Sequence, residues 1–381
     1  MRPVLYRRVF SSSSFSTDDQ SSEATPLAYA TDYHAPVMVQ ECVQALLSCP
    51  RYQQRDTSSG VDSNDKNDTP LIFVDGTLGG GGHSEALLRR LRSGDVVVGV
   101  DVDPTALATA TQRLQEYTND PTKATFVPVQ SNFCDLATVL PAKLSSVLGK
   151  DFENVGVDGL LLDLGVSSHQ IDTAERGFAF MKDGPLDMRM GGTEAGGLTA
   201  ANICNEFDAG ELRRILKVYG DEPRAKAISQ AIVENRPLHT TSDLMQVVAS
   251  VTPQFAKKGR RMGRTATLAR VFQSLRIVVN QEDKVLEKAL LDMAPSILRP
   301  GGRLVVLSYH SMEDRATKRV MRDGAISKEF RHDERDIYGN YIGTPRPFRT
   351  LGKPQKAPEA EVESNTRSRS ATLRIAERQE T

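Results

Sequence analysis

Apolar runs and helical stripes alternate along most of the chain. Between Val37 and Leu47, in HAPVMVQECVQALL, apolar residues recur at helical spacing. The next stretch, RYQQRDTSSGVDSNDKNDTP, is polar and turn-rich and predicts a solvated loop over residues 50–69. Strand and helix signals then take turns. PLIFVDG, DVVVGVDVD, ATFVPVQSNF and VDGLLLDLGVSS read as strands, with HSEALLRRLRSG and TALATATQRLQEY as helices between the first three. Apolar strands separated by helices predict a parallel sheet covered on both faces and joined by right-handed crossovers. The rhythm breaks after Ser168, and the pattern stays helical and glycine-punctuated to about Glu282. It resumes with a helix, a Pro-Gly-Gly turn and an apolar strand in KVLEKALLDMAPSILRPGGRLVVLSYHS, and SRSATLRIAER reads as a final strand. The expected fold is one α/β sheet interrupted by an all-helical insertion. Its parts are a leader over 1–30, sheet residues 31–168, an insertion over 169–283, and sheet residues 284–378.

Composition narrows the partners. The 381 residues carry 48 basic and 49 acidic side chains, so no global charge attracts a polyanion. A nucleic acid must be met by a local patch, and KKGRRMGRTATLARVFQSLRIVVNQ holds seven basic residues and no acid. Lys257, Lys258, Arg260, Arg261, Arg264 and Arg270 are its candidate RNA phosphate contacts. RPFRTLGKPQK is a second candidate surface that equally suits a plain loop. No stretch reaches the ~18–20 apolar residues of a membrane span. The four cysteines form no C-x-x-C pair and no Cys/His ligand set, so no metal is expected and the thiols read as free. MRPVLYRRVFSSSSFST is Arg-rich, Ser-rich and free of acids, the composition of a transit peptide. It predicts import into the mitochondrial matrix, with the plastid as the alternative.

The candidate chemistry sits at strand ends. DGTLGGGGHSEALL places four glycines between a strand and a helix, where backbone can approach a ligand closely. Asp101 ends the second strand, where a carboxylate can accept from both hydroxyls of a ribose. Asp103 reads first as the N-cap of a helix starting at Pro104. G-x-G-x-x-G fails because Ser84 stands at the third glycine, and no P-loop is present. NAD is thereby disfavoured against S-adenosylmethionine. Asp163 follows three leucines and should leave the sheet edge into the cleft. His310, Glu313 and Asp314 in SYHSMEDR read as structural, the two acids forming an ion-paired helix start beside Arg315.

DGTLGGGGHSEALL, LLDLGVSSHQIDTAERGFAFMKDGPLDMRM, SYHSMEDR and RSRSATLRIAER together resemble the RsmH (MraW) family, from about His34 to Arg378. The resemblance implies a Rossmann-like S-adenosylmethionine-dependent methyltransferase sheet with an inserted helical substrate-binding domain. It implies methylation of the N4 amine of a cytidine in small-subunit ribosomal RNA, and the leader resembles the organellar branch. It implies cofactor contacts at Gly81, Gly82, His83, Asp101, Phe133, Asp163 and Gln170. It leaves a homodimer open. His169 and Gly191 depart from the usual proline and acid of bacterial members. No [DNS]-P-P-[YF] turn is present, so Asp163 or the Leu164 carbonyl is the expected acceptor for the amine protons. An assembly factor that binds cofactor and RNA without catalysis is the rival from another class. A methyltransferase for another nucleobase or a protein amine is the rival among enzymes.

Overall fold

The computed structural model describes residues 36–57, 69–149, 156–254, 263–326, 337–338 and 346–380. The leader and the basic residues 257–261 lie outside them. Strands β1 (Ile72–Asp75), β2 (Val96–Asp101), β3 (Thr125–Gln130), β4 (Val157–Asp163) and β5 (Leu298–Ser308) are joined by β6 (Phe348–Thr350), β7 (Gln355–Lys356) and β8 (Thr372–Arg378). Their order is β3-β2-β1-β4-β5-β8-β6, with β7 also on β8. The first five are parallel, and β8 runs antiparallel to β5. The fold is therefore mixed α/β with a Rossmann-like sheet. RPFRTLGKPQK lies at its edge and supplies β6 and β7 instead of a plain loop.

The strands are near-continuous apolar runs because both sheet faces are covered. One face buries Ile72, Val98, Leu160 and Val306 against helices that include Leu136–Leu148. The other buries Phe73, Val97, Leu161 and Val305 against Val39–Leu47 and Gly82–Leu88. The helix Leu136–Leu148 has no counterpart in the elements read from the sequence.

The expected loop over residues 50–69 is corrected at its start, because Pro50–Thr57 is helical. Its arginines look like solvated polarity in the sequence, yet they serve as anchors. Arg51 pairs with Asp158 and Arg55 with Asp95, both 2.7 Å away. Those two aspartates are buried and also accept from Ile72 N and Leu71 N at the amino edge of the sheet. Residues 58–68 lie outside the described part.

Between β4 and β5 the chain makes the helices Ala200–Glu206, Ala209–Val218, Ala225–Glu234, Thr241–Ser250 and Arg264–Asn280. Thr199, Asp208 and Thr240 open three of them with reciprocal capping boxes, which satisfies N–H groups the helix itself cannot. These helices bury a separate core around Ile203, Leu212, Ile228, Leu244 and Leu275. Phe178, Leu186 and Met188 pack into it, so the Gly177–Met190 stretch straps the helices to the sheet. The strap passes over itself at two glycines. A Cβ on Gly177, whose φ is +71°, would sit 2.1 Å from Pro185 O, and one on Gly184 1.9 Å from Ala174 O. Among the described residues no helix is long and apolar enough to cross a membrane.

Candidate active site

A cavity of about 1150 Å³ opens over the carboxyl ends of β1, β2, β4 and β5. The glycine loop forms one wall. Gly79 N donates to Oδ2 of Asp101 at 2.9 Å, which draws the loop over the end of β2. Oδ1 of Asp101 accepts Asp103 N at 2.9 Å. Each oxygen of Asp101 therefore keeps a lone pair, and the residue lines the cavity. Burial pushes its carboxyl up to about 6, against the lowering pull of those two N–H groups, while Asp103 and Asp75 add to the rise.

The cavity brings together Gly82, His83, Asp101, Phe133, Asp163 and Gln170 from the expected cofactor set. Gly81 is not among the residues that line it. It caps the helix Gly82–Leu88 with φ +77°, and a Cβ added there would meet Ala110 and Leu114. Its glycine requirement comes from the left-handed turn, which the sequence cannot separate from ligand contact. Gly79 and Gly80 also line the cavity. Phe133 stands half-buried on the wall, in a short turn held by Asn132 Oδ1 accepting Cys134 N at 3.2 Å.

Gln170 is buried and occupied within the protein. Its Oε1 accepts Ser167 N at 3.0 Å, and its Nε2 donates to Oδ2 of Asp103 at 3.3 Å. Asp103 caps Pro104–Arg113 as expected, with Oδ1 accepting Thr105 N. It also takes an ion pair from Arg176, whose Nη2 reaches Arg189 O and Met190 O at 3.0 and 2.7 Å. One aspartate thus ties the end of β2 to the strap, a role visible only once the strap is folded.

Asp163 stands at the end of β4 with its side chain 22 % exposed. Its N–H donates to Thr77 Oγ1 at 2.7 Å. Tyr309 Oη donates to its Oδ1 at 2.7 Å, and His83 Nδ1 lies 3.8 Å from Oδ2. Burial pushes the Asp163 carboxyl up to about 6; His83 and the Tyr309 hydroxyl pull it down, and Asp75 and Glu313 push it further up. Tyr309 was not expected at the site. It immediately precedes His310 in SYHSMEDR, and a strand-end tyrosine beside a recognisable motif was the available signal.

SYHSMEDR itself is structural in a different way from the expected helix start. His310 Nε2 lies 2.7 Å from Glu313, whose Oε2 accepts the N–H groups of Tyr309 and His310. Asp314 pairs with Arg374 of β8, not with Arg315. Glu282, His310 and Glu313 hold ligand-type atoms within 4.8 Å of one another. Arg276 grips Glu282 through two bonds of 2.7 and 2.8 Å, so this group is already balanced by a guanidinium. A second, divalent charge beside Arg276 would be repelled.

Two of the expected RNA contacts already have partners within the protein. Arg270 pairs with Glu222, which is fully buried, at 2.6 Å, and its Nη2 also reaches Thr267 Oγ1. Arg264 Nη2 donates to the carbonyls of Ala249 and Thr252, closing the end of Thr241–Ser250. The window looked single-signed because its acidic partners, Glu222 and Glu282, lie outside it in sequence. Lys257, Lys258, Arg260 and Arg261 lie outside the described residues.

A glycine loop after β1, a ribose-type acid after β2 and a cavity along the carboxyl edge define a Rossmann-like enzyme class that holds an adenosine-bearing cofactor. Within that class, residues 31–379 match the MraW methylase family, and the chain belongs to it. The chain is similar to ribosomal RNA small subunit methyltransferase H of Chlorobium luteolum, with 41 % identity over 361 residues covering 91 % of this chain and 96 % of that one. It is 42 % identical over 314 residues to the protein of the same name from Geobacter sulfurreducens, covering 81 % and 92 % of the two chains. The cofactor is S-adenosylmethionine. The residues present suit it: Asp101, with lone pairs to spare, the Phe133 ring and the Asp163 carboxylate all line the cavity.

Proposed function

We propose that this protein methylates the N4 amine of a cytidine in small-subunit ribosomal RNA of an organellar ribosome. The observation that carries the reading is Asp163, a carboxylate projecting from the end of β4 into a cavity with room for more than one ligand. The cavity's 1150 Å³ exceeds the usual ~300–1,000 Å³ of a site for one small molecule. A nucleobase can therefore enter beside the cofactor. When bound, S-adenosylmethionine supplies a methyl group on a sulfonium sulfur. Asp101 is assigned to the ribose hydroxyls, Phe133 to the adenine ring, and Gly82 and His83 to the methionine end. Gln170 acts by holding Ser167 and Asp103 in place.

The amine of cytosine is a poor nucleophile because its lone pair is delocalised into the ring. Asp163, or the Leu164 carbonyl beside it, accepts from its protons and favours a pyramidal nitrogen. Fixing the amine in line with the methyl group lowers the barrier by roughly 7–11 kcal/mol in well-oriented cases. The target base must first leave its stack, at a cost of a few kcal/mol. Lys257, Lys258, Arg260 and Arg261 are assigned to RNA phosphates. The curated relatives' shared name supports the ribosomal RNA substrate.

The test incubates protein without residues 1–30, labelled S-adenosylmethionine and small-subunit particles from cells lacking this gene. Label is expected in N4-methylated cytidine by mass spectrometry of nucleosides. Cofactor binding with no label in any nucleoside would favour an assembly factor. The acid-free leader supports delivery to the mitochondrial matrix. A fluorescent fusion lacking residues 1–30 should fail to reach the organelle, and unchanged organellar signal would refute that assignment.

A further inference from the structure

Nε2 of His83 lies 2.9 Å from the carbonyl oxygen of Val37. A carbonyl only accepts, so Nε2 carries the ring proton. In the neutral ring Nδ1 then holds a lone pair, and Nδ1 faces Oδ2 of Asp163 across 3.8 Å. The two carboxylate oxygens are thereby made unequal. Oδ1 is satisfied by the Tyr309 hydroxyl at 2.7 Å, whereas Oδ2 confronts another acceptor. Two lone pairs facing each other in a buried setting are relieved by a proton placed between them.

The other titratable groups around this carboxylate are Asp75 of β1, Glu313 of the helix Ser311–Asp323 and Cys42 of the helix Val39–Leu47. Asp75 accepts from Ser84 Oγ at 2.8 Å and is buried. Asp75, Glu313, burial and the lone pair of neutral His83 favour a proton on Asp163, while the Tyr309 hydroxyl, and His83 only when its ring is charged, favour the ionised form. The balance leaves a carboxylate that is ionised near neutral pH and still able to take up a proton.

This step rests on the proposed transfer to an amine. We infer that Oδ2 of Asp163 takes the proton the amine gives up, with His83 and Tyr309 as the residues that position it. The nitrogen lone pair forms the new N–C bond, and the C–S electron pair returns to sulfur. The surplus proton moves from nitrogen to Oδ2, where it faces Nδ1 of His83. It passes to water when the products leave. Asp163 touches the reacting amine and is catalytic, while His83 and Tyr309 act through it.

His83→Gln keeps a donor for Val37 and removes Nδ1, and Tyr309→Phe removes the donor to Oδ1. At saturating cofactor the single-turnover rate of the parent should fall on an acid limb as Asp163 takes up its proton. Tyr309→Phe should move that limb to higher pH, since it loses a donor that favours the carboxylate, and His83→Gln should move it to lower pH, since it loses the lone pair that favours the proton, each by roughly half a unit to one unit. A purely structural role lowers the rate without moving the limb, and an unmoved limb in both variants would overturn the inference. A second measurement needs no substrate. Ring ¹⁵N spectra of the cofactor-free protein should give the Nε2–H tautomer for neutral His83, and an Nδ1–H tautomer would overturn the inference even if both variants were inactive. Label in a nucleoside other than N4-methylated cytidine would sink the proposed base, with the limb and the tautomer still deciding the role of Asp163.

Discussion

Asp163→Asn is expected to cut methyl transfer by about 10²–10⁴-fold and to raise the melting temperature of the cofactor-free protein at pH 7.5. The two effects have one cause. The folded carboxyl titrates at about 6, above the ordinary 3.8 of the unfolded chain. The native state therefore binds the proton more tightly, and stability falls as pH rises from the lower value to the higher. Above pH 6 the penalty is complete, and below about pH 4 it is absent. A shift near two units corresponds to at most about 3 kcal/mol, and partial exposure of the side chain reduces this to roughly 1–2 kcal/mol. Asparagine carries no charge to desolvate. Its oxygen can still accept from Tyr309, and its amide can donate to the Nδ1 lone pair of His83. The gain should be about 2–6 °C at pH 7.5 and should vanish near pH 4. Differential scanning calorimetry across that range, beside single-turnover rates, checks both signs. Normal turnover, or a stability gain that persists at pH 4, would show that the carboxylate does not work as described.

Arg270→Ala is expected to lower stability by about 3–5 kcal/mol, or roughly 6–15 °C in melting temperature. Glu222 is fully buried in the turn between Ala209–Val218 and Ala225–Glu234, and Oε2 accepts from Arg270 while Oε1 accepts Arg224 N at 3.0 Å. Removing the guanidinium leaves that charge without its partner, and the helical core around Leu212 and Leu275 loses a link between its helices. Arg270→Ala with Glu222→Gln should recover much of the loss, because the stranded charge is gone. An arginine that contacted RNA phosphate would behave otherwise. Its removal would leave the melting temperature in place and reduce the salt dependence of RNA affinity by about one ion. Thermal melts of the two variants, with RNA binding measured at several salt concentrations, separate these roles.

Features of this protein that depend on nearby residues are legible in its sequence, and those that depend on distant partners are not. The alternation of apolar strands and helices was readable because a sheet covered on both faces demands near-continuous apolar runs. The cap at Asp103 was readable because Asp-Pro at a helix start acts within two residues. Pro50–Thr57 misled because Arg51 and Arg55 look solvated until Asp158 and Asp95 meet them. Arg270 and Arg276 look unbalanced in sequence for the same reason, because Glu222 and Glu282 lie outside the basic window. At Gly81 a left-handed turn and a ligand contact both ask for glycine, and the sequence does not separate the two demands.

By itself the sequence determined the α/β class, the carboxyl-edge location of the site and the family, since each depends on local pattern or on contiguous motifs. The tertiary structure alone decided which groups meet at Asp163. Tyr309 is 146 residues from it in sequence, and His83 faces it only because Val37 holds the far side of the ring. The chemistry of a carboxylate depends on the donors and charges within a few ångströms, and those arrive from separate strands and helices once the chain has folded.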